Sequence, residues 1–204
     1  MWKIGPEWVA QLRKLVATRI RKGAERSAWP TDKAGSCAVP GDAALAAACA
    51  SAGGHLSLMI GLDSDNGDPN AKEDFMKESD RVAAVVAYFP PVDLRLLARG
   101  LNPPPTGTVL DRFPALNFEK EKAADYSPIV FVTPDDPPTL LIHGDKDELV
   151  NISNSQIMFE ALKKNNVKTD FITIPGAGHG FRGQDAKRAL DATVSWFEQT
   201  LLKK

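Results

Sequence analysis

The chain is predicted to be α/β, with a mostly parallel sheet and helices on both faces. Three observations point there. Short apolar runs occur at Val82–Phe89, Leu140–Ile142 and Val167–Ile174, the length and make-up of buried strands. Segments of helical period follow residue 51, run from Ser153 to about Asn165, and start again near Asp185. Each apolar run stops abruptly at glycine, proline or aspartate. Alternation of this kind builds a parallel sheet covered on both sides.

Each element has its own signal. Leu56, Met59, Ile60 and Leu62 line the first helix. Asp63 to Ser79 is polar, and Asn66-Gly67-Asp68-Pro69 supplies turn residues. Pro90 and Pro91 stop the Val82–Phe89 strand. Leu94 to Phe118 is rich in proline and glycine around Pro103-Pro104-Pro105. That stretch reads either as a cover for a substrate pocket or as a plain surface excursion. Leu110, Phe113, Leu116 and Phe118 would wall the pocket in the first case and anchor the loop in the second. Ser153 is placed to cap the next helix, with Ile157, Met158, Ala161 and Leu162 on its buried face. In the last helix, Ala186, Leu190, Val194, Phe197 and Leu201 recur at spacings of four and three, a core-facing stripe. Lys203 and Lys204 stand at the negative end of its dipole.

Composition bounds the function. At 204 residues the chain is long enough to bury a substantial core. Its 43% hydrophobic and 25% charged content is ordinary for a globular protein. A formal net charge of −1 argues against general nucleic-acid binding. Two cysteines, Cys37 and Cys49, do not make a disulfide framework. No apolar run is long enough for a transmembrane helix. The opening Met1-Trp2-Lys3-Ile4-Gly5-Pro6 lacks an apolar signal core. A cytoplasmic location is the default expectation, with secretion left open should a signal peptide be missing from this N-terminus. The sequence leaves the oligomeric state open.

The chemistry is carried by three loops. Ser51-Ala52-Gly53-Gly54-His55-Leu56 sets a serine among small residues just before a helix. That is the make-up of a G-x-S-x-G nucleophile elbow, where a crowded strand-to-helix turn demands small neighbours. Cys49 stands where the motif has its first glycine. The second loop, His143-Gly144-Asp145-Lys146-Asp147, follows an apolar strand. The third, Gly176-Ala177-Gly178-His179-Gly180-Phe181, follows another. Serine, aspartate and histidine thus occur in that order, each at a strand's carboxyl end, where open α/β sheets hold their ligands. Either Asp145 or Asp147 could serve as the acid. His55 and His143 read as structural hydrogen-bonding groups, leaving His179 as the candidate base. No pair of histidines has metal-ligand spacing, so no metal and no cofactor is expected.

These motifs, with Phe89-Pro90-Pro91-Val92-Asp93-Leu94 and Tyr126-Ser127-Pro128, make the chain resemble the α/β-hydrolase family. The likeness runs from about residue 49 to 202. It is strongest to bacterial carboxylesterases of the acetyl-xylan and feruloyl type, and extends to prolyl-oligopeptidase-type peptidases. The resemblance implies an α/β-hydrolase fold with Ser51 as nucleophile, Asp147 as acid and His179 as base, Asp145 being left to cap the loop. It implies a serine hydrolase of short-chain carboxylic esters, acting on a small-molecule ester or an acylated saccharide through an acyl-enzyme. The alternatives are a serine peptidase, and an impaired hydrolase fragment.

The residue types suit that chemistry. A serine hydroxyl needs an imidazole to take its proton during attack. A carboxylate fixes the imidazole tautomer and stabilises the imidazolium. The oxyanion needs backbone donors; the Ala52 N–H is one. The second normally comes from an upstream His-Gly-Gly-Gly-type loop, and no His-Gly or Gly-Gly pair precedes Ser51.

The N-terminal stretch departs from the pattern. Residues 1–50 carry eight Lys+Arg and four Asp+Glu, a net +4, against −5 for the remainder. Leu12, Leu15, Val16, Arg19 and Ile20 suit a short amphipathic helix, and Gly23 to Asp42 reads as loop. Ala43 to Ala50 is nearly all alanine and cysteine where a β-branched strand belongs, so local preference opposes the required state. The organisation expected is an atypical segment over 1–48, frame-shifted or truncated, and a hydrolase core portion over 49–204. Translating the gene in its other two frames checks this. One of them is expected to hold an apolar β-branched run ending in Gly-x-Ser, and its absence from both overturns the frame-shift reading.

Overall fold

The computed structural model describes residues 46–72, 77, 79–98 and 119–202. The expected amphipathic helix at Leu12–Ile20, nearly all of the atypical segment, the residues Leu110 to Phe118 and the terminal lysines lie outside these.

Four parallel strands form one sheet in the order β1-β2-β3-β4. They are β1 (Ala46–Ala50), β2 (Ala84–Tyr88), β3 (Thr139–Gly144) and β4 (Thr169–Ile174). The helices are α1 (Ala52–Leu62), α2 (Leu94–Ala98), α3 (Ser153–Lys164) and α4 (Gly183–Phe197), the last running on into a π-helical turn over Glu198–Leu202. The α/β expectation is met.

Strand period sorts the core into two layers. Val85, Ala87 and Leu141 face α1 and α3, packing with Leu58, Leu62, Met158 and Leu162. Val86, Leu140, Ile142 and Ile174 face α4, packing with Ala189 and Trp196. The helices therefore cover opposite faces, and the apolar continuity of β2 and β3 follows from burial on both sides. No helix among the described residues is long and apolar enough to cross a membrane.

The alanine-rich run is a strand after all. Ala46 to Ala50 pairs in parallel with Ala84 to Tyr88, and Ala46 to Cys49 are buried. Tertiary pairing overrides alanine's helical preference here. The small side chains have a use: α1 lies close against β1 and β2. A Cβ on Gly61 would come within 2.6 Å of Val85 Cγ2, and one on Gly54 within 2.9 Å of the Tyr88 carbonyl.

Three helix faces differ from expectation. In α1, Leu56 and Ile60 are 47% and 48% exposed, while Gly54, Ser57, Leu58, Gly61 and Leu62 are buried. Glycine and serine take the packed face because a close helix–sheet approach excludes larger side chains. In α3, Ile157 is exposed, and Asn154 and Ser155 are buried beside Met158 and Leu162. The predicted Ser153 cap is also replaced: Asn151 Oδ1 accepts the Ser153 N–H at 2.9 Å. In α4 the buried stripe is Ala189, Thr193 and Trp196, and Val194 is 47% exposed. The Thr193 hydroxyl bonds to the Ala189 carbonyl and the Tyr88 hydroxyl, which satisfies it inside the core.

Loops after β3 and β4 meet at Gly144. A Cβ there would collide with the Ala177 carbonyl oxygen. Gly144→Ala is expected to lower unfolding free energy by about 1–3 kcal/mol, measured by urea denaturation.

Candidate active site

Ser51 links β1 to α1 in a strained backbone, with φ 55° and ψ −122°. Its N–H donates to the Tyr88 carbonyl at 2.9 Å, so the sheet ladder holds the turn in place. A left-handed φ on a non-glycine residue costs on the order of 1–3 kcal/mol and persists only where the surroundings enforce it. Here they do: Gly53 lies on Cys49 so closely that a Cβ would strike its Sγ. The geometry throws the Ser51 side chain clear of the sheet's end.

His179 Nε2 lies 2.8 Å from Ser51 Oγ, and His179 Nδ1 lies 2.8 Å from Asp147 Oδ2. The carboxylate only accepts, so Nδ1 carries the proton and the bare Nε2 accepts from the serine hydroxyl. Asp147 Oδ1 accepts the N–H groups of Leu149 and Val150 at 2.9 and 2.8 Å. Asp147 is fully buried at its side chain, and His179 is 21% exposed. Burial alone would raise the Asp147 pKa. Hydrogen bonds from His143, His179 and the Val150 N–H, with the pull of His179, outweigh it and hold the carboxyl well below the usual carboxylate range.

The other sequence candidates sit nearby in different settings. Asp145 Oδ1 accepts the Gly176 N–H at 2.6 Å, tying the two loops together. Ala52 opens α1, where first-turn N–H groups lack intrahelical acceptors and make up the positive end of the dipole. His55 donates from Nδ1 to the Pro91 carbonyl at 3.0 Å, and burial pushes its pKa down against that bond. His143 bonds to Ser155 and to the Val150 carbonyl. No cluster of three or more metal-ligating side chains occurs among the described residues.

Sequence reasoning missed one contributor. Phe89, at φ 38°, directly follows β2 and turns its ring onto His179, with centroids 4.6 Å apart. Phe181 packs edge-on against it at 5.1 Å. Together they form an apolar wall beside His179. The available signal was an aromatic residue immediately before Pro90-Pro91, which restricts the backbone at that point.

Residues 41–162 match the BD-FAE family model. The chain belongs to the BD-FAE family. This BD-FAE chain is 32% identical over 152 residues to Esterase LipC of Mycobacterium tuberculosis (strain ATCC 25618 / H37Rv), a stretch covering 71% of this chain and 36% of that protein. It is 34% identical over 88 residues to the uncharacterized peptidase YuxL of Bacillus subtilis (strain 168), covering 41% of this chain and 13% of YuxL. Among solved structures it superposes on an acetyl ester-xyloside bifunctional hydrolase from Caldicellulosiruptor lactoaceticus, with a TM-score of 0.61, 26% identity and coverage of 74% of this chain and 55% of that one. A truncated carbohydrate esterase from gut microbiota gives 0.60, 25%, 94% and 66%. The chain thus spans about a third or less of the curated relatives it matches, and the fold is that of the α/β-hydrolase esterases.

The buried Asp147 ties stability to pH. Its folded pKa lies below the unfolded value of about 3.9. Its ionised form therefore contributes in full above that value, and the contribution is lost as pH falls toward the folded value. Asp147→Asn is expected to lower the neutral-pH Tm and to flatten the fall in Tm below about pH 4, followed by thermal melts across the acid range.

Proposed function

We propose that this chain is a carboxylic-ester hydrolase working through a serine acyl-enzyme. The observation that carries the reading is the unbroken hydrogen-bond path from Ser51 through His179 to Asp147. Ser51 Oγ attacks the ester carbonyl carbon while its proton passes to His179 Nε2. Asp147 keeps the imidazole tautomer and stabilises the imidazolium. The Ala52 N–H donates to the oxyanion, a contact whose loss costs about a hundredfold to a thousandfold in turnover elsewhere. The tetrahedral adduct collapses, His179 protonates the departing alcohol, and the acyl group stays on Ser51. Water then repeats the sequence, releasing the acid and restoring the serine.

The substrate class we propose is a short-chain ester, an acyl group on a small alcohol or on a saccharide. Likeness to an acetyl ester-xyloside hydrolase and to a carbohydrate esterase supports the saccharide option. We take residues 49–204 as the catalytic core portion. The partial match to YuxL favours a second reading, peptide hydrolysis by the same residues.

Hydrolysis of p-nitrophenyl acetate beside peptidyl p-nitroanilides tests both readings. Ester turnover is expected, falling on the order of ten-thousandfold or more in Ser51→Ala. Equal rates in wild type and Ser51→Ala overturn the nucleophile assignment, and faster anilide cleavage selects the peptidase.

A further inference from the structure

Two imidazoles hold the Asp147 carboxylate. His179 Nδ1 approaches Oδ2 at 2.8 Å, and His143 Nε2 lies 3.3 Å from the same oxygen. His143 is the penultimate residue of β3 and is fully buried. Its Nε2 also lies 2.8 Å from the Val150 carbonyl oxygen. Both neighbours only accept, so Nε2 carries the proton, with the Val150 oxygen the nearer acceptor and Asp147 Oδ2 beside it. Nδ1 is then a lone pair, and the Ser155 hydroxyl, 2.7 Å away, donates to it. Ser155 is fully buried on α3.

The surroundings leave little else to act on this group. On the same loop Asp145 is engaged with the Gly176 N–H, while Lys146 and Glu148 are exposed. From the β4 loop comes His179. From α3 come Ser155 and Asn154, the latter accepting the Val92 N–H. From the end of β2 comes the Phe89 ring, 6.3 Å from His143.

We propose that His143, anchored by the Ser155 hydroxyl, is a positioning residue that donates its Nε2–H to Asp147 and holds the carboxylate in line with His179. The catalytic consequence rests on the hydrolase reading above; the proton arrangement does not. A loop staple would need only the Val150 bond. The second contact makes His143 a competitor of His179 for one carboxylate oxygen. Hydrogen bonds received by an ionised carboxylate spread its charge, so the shared Oδ2 pulls less on the His179 imidazolium.

The chain has three histidines, which makes its ring nitrogen spectrum assignable. Long-range 1H–15N correlation on the histidine-labelled full chain is expected to show His143 as the Nε2–H tautomer. The Nδ1–H tautomer overturns the proposal, because His143 would then present no donor to Asp147. This readout needs no activity, so it is separate from a failure of the Ser51→Ala comparison. Kinetics supply the second arm. With p-nitrophenyl acetate, His143→Leu is expected to lower kcat/KM about tenfold and to move the acid limb of its pH profile upward by about half a unit. His143→Gln, which keeps an N–H donor, is expected to recover most of the rate and the wild-type limb. Equal losses in both with an unmoved limb reduce His143 to a loop staple and overturn the proposal. If His143→Leu does not fold, Ser155→Ala replaces it. There the low-field proton on His179 Nδ1 is expected to shift, and an unchanged resonance overturns the coupling.

Discussion

The turn at Ser51 is the constraint on which the rest of the structure depends. A residue at φ 55° must have its strain held by neighbours, and this sequence supplies them at van der Waals limits. Gly53 lies against Cys49, Gly54 against the carbonyls of Tyr88 and Cys49, and the Ser51 N–H is tied to Tyr88. These contacts demand that α1 lie almost on the sheet. That demand explains the alanines of β1 and the glycines of α1 together. Residues chosen for closeness are poor in intrinsic strand or helix signal, and their packing supplies the missing preference.

A second constraint is charge. A carboxylate buried in an apolar fold is unstable unless its lone pairs are occupied. Asp147 accepts two backbone N–H groups at one oxygen and faces two imidazoles at the other. The loop after β3 wraps around the carboxylate, and the local backbone conformation serves that purpose. The histidine that faces the serine is thus oriented by a group that is itself fixed. Phe89 completes the setting by placing a ring at the side of His179, at the cost of a second left-handed residue at a strand end.

The sequence made the site more legible than the packing. Ser51 and His179 announce themselves through small residues and glycine-rich loops after apolar runs, signals that depend on local backbone alone, whereas Asp147 is separated from Asp145 only by the family resemblance. Strand positions were legible for the same reason, except β1, whose alanines carry no strand signature. Helix faces were misread wherever polar residues are buried. Thr193, Ser155 and Asn154 are paired inside the protein, and hydropathy assigns such residues to water. The exposed Ile157 and Val194 are the counterpart of that error. These pairing partners lie 105, 12 and 62 residues away, and no periodicity reveals them. Phe89 was hidden likewise, since its role depends on a loop some ninety residues downstream.

The three site residues are not held equally. Asp147 and His179 come from neighbouring strands, β3 and β4. Their loops are laced by Lys146 N–H to Ala177 O, Asp145 N–H to Ile174 O and Gly176 N–H to Asp145 Oδ1. Ser51 sits three strands from His179 in the sheet order and meets it through one side-chain bond. The loops of Asp147 and His179 are therefore tied directly to one another, and Ser51 is anchored separately through its N–H to Tyr88. Parting Ser51 from His179 breaks one side-chain bond, whereas parting the other two loops breaks three further hydrogen bonds. The constellation can therefore come apart at the serine while the Asp147–His179 pair stays assembled.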